Sequence, residues 1–208
     1  MTLGARLTSA CFALAGLLFV LYPAIRPFSD EKSLQGAAAF GSDAWVLSHS
    51  LAIVAFILLV LGLLGVYLLL RETRAGRLTL IALVTSWIGV GLTLPFYGAE
   101  VFGLHAIGQA ALRQNNPGLV SLAADVRGEP GIWLIVIGLV LLGAGMVVFA
   151  IAIWRSAVLW KWAGIPITVG FALYLPQFTG SQALRVAHGL LITVACGVIA
   201  WNLLVLRR

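Results

Sequence analysis

Charged residues are scarce in this chain, and they are missing from six long apolar stretches. Asp, Glu, Lys and Arg make up 10% of the 208 residues, whereas hydrophobic residues make up 62%. None of the six stretches carries one of these four residue types between its ends. A bilayer core needs about 20 apolar residues for each helix and offers no water to an exposed peptide group. The missing charge argues against an ordinary water-soluble domain and predicts an all-α, polytopic membrane protein.

Other absences narrow the function. The two cysteines, Cys11 and Cys196, both fall inside apolar stretches, so no disulfide is expected. The sequence has no HExxH and no CxxCH, and therefore no specific metal or haem signature. Near the middle of the stretches there is no ionisable group of the kind that coupled transporters use. The basic residues lie at the ends of the stretches, which argues against a nucleic-acid partner.

The apolar stretches predict a six-helix bundle that forms a single integral membrane domain over residues 1–208. The predicted spans are 7–25, 45–70, 78–98, 131–154, 162–178 and 185–206. If the N-terminus is cytoplasmic, eight of the thirteen basic residues lie on the inner side. The positive-inside rule then places both termini in the cytoplasm and the protein in the plasma (inner) membrane. Those eight residues are Arg6, Arg71, Arg74, Arg77, Arg155, Lys161, Arg207 and Arg208.

The outer loop, residues 99–130, is expected to contain short interfacial helices. Asn116 and Pro117 supply a helix cap followed by proline at the first helical position, and Gly128 ends the segment. Before them, residues 101–113 have the pattern of a helix that lies along the membrane surface. These helices would form a lid over a ligand site or a simple structural cover.

A weak internal repeat suggests three related helical hairpins. Residues 91–98 (GLTLPFYG) resemble residues 170–178 (GFALYLPQF), and residues 21–23 (LYP) are a looser version. Each version ends an odd-numbered span and is followed by a histidine. Their tyrosines lie at span ends, where aromatic belts form at the membrane surface.

The histidines that follow the repeats, His49, His105 and His188, are all predicted on the outer side. Three neutral imidazoles can bind a transition metal, with Glu100 as a fourth ligand or as the catalytic base acting on a bound water. Alternatively, His49 and His188 would ligate a haem from facing helices. The structural reading is that each histidine caps a helix or contacts lipid headgroups.

Polar stripes on three spans indicate a pocket that faces the bundle interior and opens outward. Ser86, Thr93, Tyr97 and Glu100 form the stripe on the third span, and Tyr174 and Gln177 belong to that of the fifth. On the sixth, Arg185 would neutralise an anionic substrate or headgroup, or anchor the helix end. Candidate substrate-binding residues are Tyr97, Tyr174, Gln177 and Arg185.

The pattern favours a metal- or haem-binding membrane enzyme or redox protein with a polar His/Glu/Tyr site at its extracytoplasmic face. Its substrate would be a lipid-soluble small molecule, and the lipid bilayer is its expected partner. The alternatives are a small carrier or channel for an uncharged solute and a non-catalytic membrane subunit. Small residues repeat on two spans, Gly189, Thr193 and Gly197 on one and Gly138, Gly145 and Ala152 on the other, and would pack the bundle or a homo-oligomer.

Overall fold

The computed structural model of the protein describes residues 3–205, which are all-helical, with 84% helix and no strand. A π-helical segment (Ala99–Leu104) and two 3-10 segments (Pro117–Ser121 and Pro176–Thr179) accompany the α-helices. Within residues 3–205 the α-helices are α1 (Leu3–Ile25), α2 (Leu34–Phe40), α3 (Asp43–Leu70), α4 (Gly76–Gly98), α5 (His105–Arg113), α6 (Leu122–Arg127), α7 (Gly131–Ser156), α8 (Gly164–Ala172) and α9 (Gln182–Val205).

In the part of the chain that the structure describes, five helices are long and apolar enough to cross a membrane: α1, α3, α4 with its continuation, α7 and α9. Four of the six predicted spans coincide with these helices to within a few residues, and a fifth, 78–98, coincides with α4 but not with its continuation. Large apolar side chains remain exposed on their outer faces, including Leu61 (48%), Trp87 (59%) and Val194 (61%). Residue 206, Arg207 and Arg208, which entered the topology prediction, lie outside the described residues.

The predicted span 162–178 differs from the structure, so the count of six spans is not confirmed. Its helix, α8, has 9 residues, which corresponds to about 14 Å against a bilayer core of about 30 Å. Turns follow α8, and then a 3-10 segment begins at Pro176. Proline has no N–H to donate, so the α-helical hydrogen-bond pattern cannot continue unbroken through Pro176.

The helices form a closed ring in the order α9, α1, α3, α4, α7, α8 and back to α9. Glycines allow close approach at two of these contacts. A Cβ on Gly138 of α7 would lie 2.5 Å from Oγ1 of Thr93 on α4, and one on Gly189 of α9 would lie 2.8 Å from the carbonyl oxygen of Phe19 on α1. These two small residues, predicted as packing positions, therefore pack within the chain.

Residues 99–127 and α2 form a separate layer, called the cap below, over one end of the ring. α4 does not stop at the predicted boundary: the helix continues through the π-helical segment into α5, so that Gly76–Arg113 is one long helical stretch. α2 crosses α5 closely, because a Cβ on Gly108 would lie 2.5 Å from the backbone nitrogen of Gly41. Asn116 accepts a hydrogen bond from the N–H of Gly118 at 3.0 Å, as its predicted capping role requires.

Candidate functional site

A pocket of about 500 Å³ opens at the end of the ring next to the cap. This end, formed by residues 26–42, 99–130 and 173–181, is called the loop end below. The pocket has two chemically different sets of lining residues. Its apolar wall includes Phe96, Ile132, Ile135, Val136, Leu175 and Phe178. Its charged lining consists of Arg26, Asp30, Glu31, Glu100, Arg127 and Arg185.

Arg127, at the end of α6, is the centre of an ionic network. Its Nε and Nη2 donate to the two carboxylate oxygens of Glu100, at 2.5 and 3.0 Å. Its Nη1 donates to Oε2 of Glu31, also at 2.5 Å. The other Glu31 oxygen, Oε1, accepts from Nη2 of Arg26 at 2.8 Å. One chain of hydrogen bonds therefore joins charged groups from three places: the end of α1, the loop after it and the cap.

The network changes the acid–base properties of the loop residues. Burial alone would raise the pKa of Glu31, but the hydrogen bonds and charges of Arg127 and Arg26 outweigh it and lower that pKa below its ordinary value of 4.5. Burial works against the charged form of Arg127 too, yet Glu100 and Glu31 raise its pKa further above the ordinary range. Both groups are thus ionised at neutral pH.

Glu100, the predicted catalytic base, is buried, with 7% of its surface exposed, and lies next to His49. Oε2 of Glu100 is 3.6 Å from Nε2 of His49. Nδ1 of His49 is 2.8 Å from the carbonyl oxygen of Trp45. Because a carbonyl only accepts, Nδ1 carries the proton, and Nε2 of a neutral ring faces the carboxylate with a lone pair.

Three tyrosines, one from each version of the repeat, meet beneath the pocket. The hydroxyl groups of Tyr97 and Tyr174 are 3.0 Å apart and hydrogen-bonded, and the ring centroids of Tyr22 and Tyr97 are 5.8 Å apart. All three are buried, with exposures of 8%, 2% and 2% for Tyr22, Tyr97 and Tyr174. The expectation that they belong to an aromatic belt at the membrane surface is therefore wrong. Tyr22 and Tyr97 line the pocket.

The structure does not bring the three histidines together as a metal site. Nδ1 of His49, Nδ1 of His105 and Nε2 of His188 contact three different backbone carbonyl oxygens, at 2.8, 3.2 and 2.7 Å. Within residues 3–205, no group of three or more His, Cys, Asp or Glu is placed to hold a metal ion. None of the three histidines lines the 500 Å³ pocket. The predicted ligand set of His49, His105 and His188, with Glu100, is therefore not supported.

A haem between His49 and His188 has no better support. The ring of His49 packs against Trp45 and Tyr22, with centroids 4.3 and 5.2 Å away, and its free nitrogen faces Glu100. Nε2 of His188 is occupied by a backbone carbonyl. Of the three cavities at the loop end, His188 lines two and His49 lines none. The two imidazole rings therefore share no cavity that a haem could occupy.

Of the four predicted substrate-binding residues, two line the 500 Å³ pocket and two do not. Arg185 and Tyr97 are the two that line it. The guanidinium group of Arg185 donates to the carbonyl oxygens of Phe178 and Gly180. Gln177, in contrast, is buried and lies against smaller cavities beside His188. Tyr174 does not line the 500 Å³ pocket, but its hydroxyl group is hydrogen-bonded to that of Tyr97, which does.

No protein family, no curated protein and no solved structure matches this chain. The interpretation of the site therefore depends on its own geometry. Sequence reasoning missed Arg26, Glu31 and Arg127 as site residues and counted them only as loop charges. The available signal was topological: these two arginines belong to the five basic residues that the predicted orientation leaves on the outer side.

Proposed function

We propose that this chain is an integral membrane protein that binds one amphipathic, lipid-soluble molecule in the loop-end pocket. The observation that carries the proposal is the composition of the pocket. One cavity of about 500 Å³ joins an apolar wall to a charged lining. Ligand pockets commonly have about this volume, with apolar walls and a few polar groups that orient the ligand. A molecule with an apolar chain and a polar head fits both parts.

The surface of the ring supports a lipid environment for this pocket. Apolar side chains cover the outer faces of the five long helices, and charged residues lie at their ends. In water, such an area would be far larger than the apolar patches that soluble monomers expose. The pocket would then lie at the level of the headgroups, where an amphipathic molecule is already concentrated.

The packing beneath the pocket favours a binding site over a channel. Phe56 contacts Tyr97 and Tyr174 with ring centroids 5.4 and 5.5 Å away, and Phe19 packs on Phe56 at 5.0 Å. These four buried aromatic side chains occupy the centre of the helix bundle, directly below the pocket. A solute could enter from the loop end, but a continuous path across the bundle would require these rings to separate.

The proposal keeps the polar extracytoplasmic site and the lipid-soluble partner that the sequence predicts, and it leaves out the metal and the haem. It also keeps the plasma membrane location, with both termini in the cytoplasm. Cysteine labelling tests the orientation. Gln114→Cys, on the exposed surface of the cap, should react in intact cells with a maleimide that cannot cross the membrane. Glu72→Cys, at the opposite end, should react only after permeabilisation, and the reverse pattern would overturn the orientation.

Native mass spectrometry of the detergent-purified protein tests the binding proposal. The parent protein should retain a lipid-soluble molecule of defined mass. Val136→Trp narrows the apolar wall and should reduce the bound fraction. Val140→Trp, one turn further along α7 at an exposed position outside the pocket, is the matched control and should retain it. If the two variants retained ligand equally, the pocket would not be the binding site.

A further inference from the structure

The three arginines of the pocket differ in how far their charges are neutralised. Arg127 directs three donors to carboxylate oxygens, and Arg26 directs one. Arg185 forms no ion pair with a carboxylate of residues 3–205 and donates to backbone carbonyls instead. The pocket therefore contains three guanidinium groups and the two network carboxylates, Glu31 and Glu100. Without Asp30, the sixth charged residue of the lining, one positive charge is left over in the pocket.

Asp30 forms no ion pair with any of the three arginines of the pocket. Its side chain is exposed, and both of its oxygens are occupied locally. Oδ1 accepts from the backbone N–H groups of Lys32 and Ser33, and Oδ2 accepts from the hydroxyl of Ser33 at 2.7 Å. These hydrogen bonds lower the pKa of Asp30, so its carboxylate is already held by its own turn and by the water around it.

A second, independent observation also indicates an absent anion. Arg26 is 93% buried, since only 7% of its surface is exposed. Its Nε has no hydrogen-bond partner among residues 3–205, although Arg26 lines the pocket. A buried donor without an acceptor is rare in folded proteins and costly, particularly on a charged group. The nitrogen is itself enclosed, so an acceptor in the pocket would satisfy it after a small shift of the surrounding side chains.

The surplus cation and the unsatisfied donor belong to side chains that lie against the same aromatic ring. The guanidinium carbons of Arg26 and Arg185 are 4.6 and 5.3 Å from the centre of the same ring, that of Phe28. The ring stabilises both cations by its face. It does not remove the repulsion between the two cations. An anion placed within reach of both would attract each of them and offset that repulsion.

We propose that Arg26 and Arg185 bind the anionic head of the amphipathic ligand through one singly charged oxyanion, as in the phosphodiester of an anionic phospholipid. This inference rests on the proposed function and adds the chemical class of the ligand. A single negative charge matches the single positive charge that remains. The apolar chains of the ligand would follow the wall formed by Ile132, Val136 and Leu175.

A competition between two short-chain lipids tests the head-group assignment. Phosphatidylglycerol and phosphatidylcholine share the phosphodiester, but only the first has a net negative charge. With equal amounts of both added to the full-length protein in detergent, native mass spectrometry should show phosphatidylglycerol bound on the order of 10- to 100-fold more often, because the choline cation of phosphatidylcholine would add a positive charge beside the two arginines. Equal binding of both would refute the charge assignment and leave the proposed function intact. Binding of neither would refute the proposed function itself.

Variants assign the preference to particular residues. Arg185→Gln should reduce the preference to nearly equal binding, whereas Arg185→Lys, which keeps the charge, should retain most of it. Arg113→Gln removes the same charge from an exposed site on the cap and should change nothing. If Arg185→Gln kept the full preference, the inference would be wrong. Since the ratio is also measured on the parent protein, a variant that failed to fold would not remove the test.

The source of the anion is tested with inorganic phosphate. If the site binds the head of a lipid, inorganic phosphate at the same concentration should not displace phosphatidylglycerol, because it has no contact with the apolar wall. Displacement by phosphate alone would show that a free anion occupies the site and would overturn the assignment to a lipid.

Discussion

Removal of Arg127 should destabilise the protein more than removal of any exposed arginine. The change Arg127→Gln leaves Glu100, whose side chain is 9% exposed, without its cation, and takes away one of the two cations on Glu31. Breaking a buried ion pair on one side costs about 3–5 kcal/mol. The lower figure applies here, about 3 kcal/mol, because the side chain of Arg127 is 28% exposed and water partly replaces it.

Unfolding by a denaturing detergent, followed by circular dichroism, measures this loss. Arg113→Gln is the control, since it removes an exposed charge from the same cap. The double variant Arg127→Gln with Glu100→Gln should recover part of the lost stability, because no unpaired charge remains at that point. The penalty of the single variant should also shrink in acid, where carboxylates are protonated. A change in unfolding free energy below about 0.5 kcal/mol for Arg127→Gln would refute the assigned role of the network.

Three further predictions follow from individual contacts. The contribution of Glu31 to stability should be complete above its ordinary pKa of 4.5 and fall as the pH drops through its lowered pKa, and Glu31→Gln should lack this part of the acid unfolding curve. Gly108→Ala should separate α2 from α5 and cost about 1–3 kcal/mol in thermal unfolding, whereas Gly91→Ala, with nothing within 4 Å, should be neutral or mildly stabilising. Tyr97→Phe should cost about 1–2 kcal/mol in the same assay, because it leaves the buried hydroxyl of Tyr174 without its partner.

Hydropathy predicted the long helices well because membrane-spanning length is a property of each segment alone. It could not identify α8 as short. Residues 162–178 contain no charged residue, which is the pattern of a full span, and α8 within them packs between α7 and α9. Whether such a run continues as a helix depends on Pro166 and Pro176, and many membrane helices tolerate proline. Only the packed structure, in which turns follow Ala172, decides between the two outcomes.

The site was only partly predictable, because its charges come from segments that share no local pattern. Glu100 was found because it continues a helical stripe with Tyr97, and both line the pocket. Glu31 and Arg127 are 96 residues apart and lie in connecting segments, so no helical or strand periodicity relates them. The weak repeat was more informative than the histidines: its three tyrosines meet, whereas the histidines bond to three separate carbonyls.

The arrangement of charge explains why an anionic ligand would add to the network without dismantling it. Every donor that Arg127 directs into the network is already used on Glu31 and Glu100, so a ligand gains nothing by competing for it. Arg185 keeps the unneutralised charge and Arg26 keeps the unsatisfied donor, and both guanidinium groups contact the ring of Phe28. Glu31 thus holds Arg26 in place, and the carbonyl oxygens of Phe178 and Gly180 hold Arg185, before the ligand arrives. A site organised in advance loses less entropy on binding, so its affinity comes from contacts that are already in place.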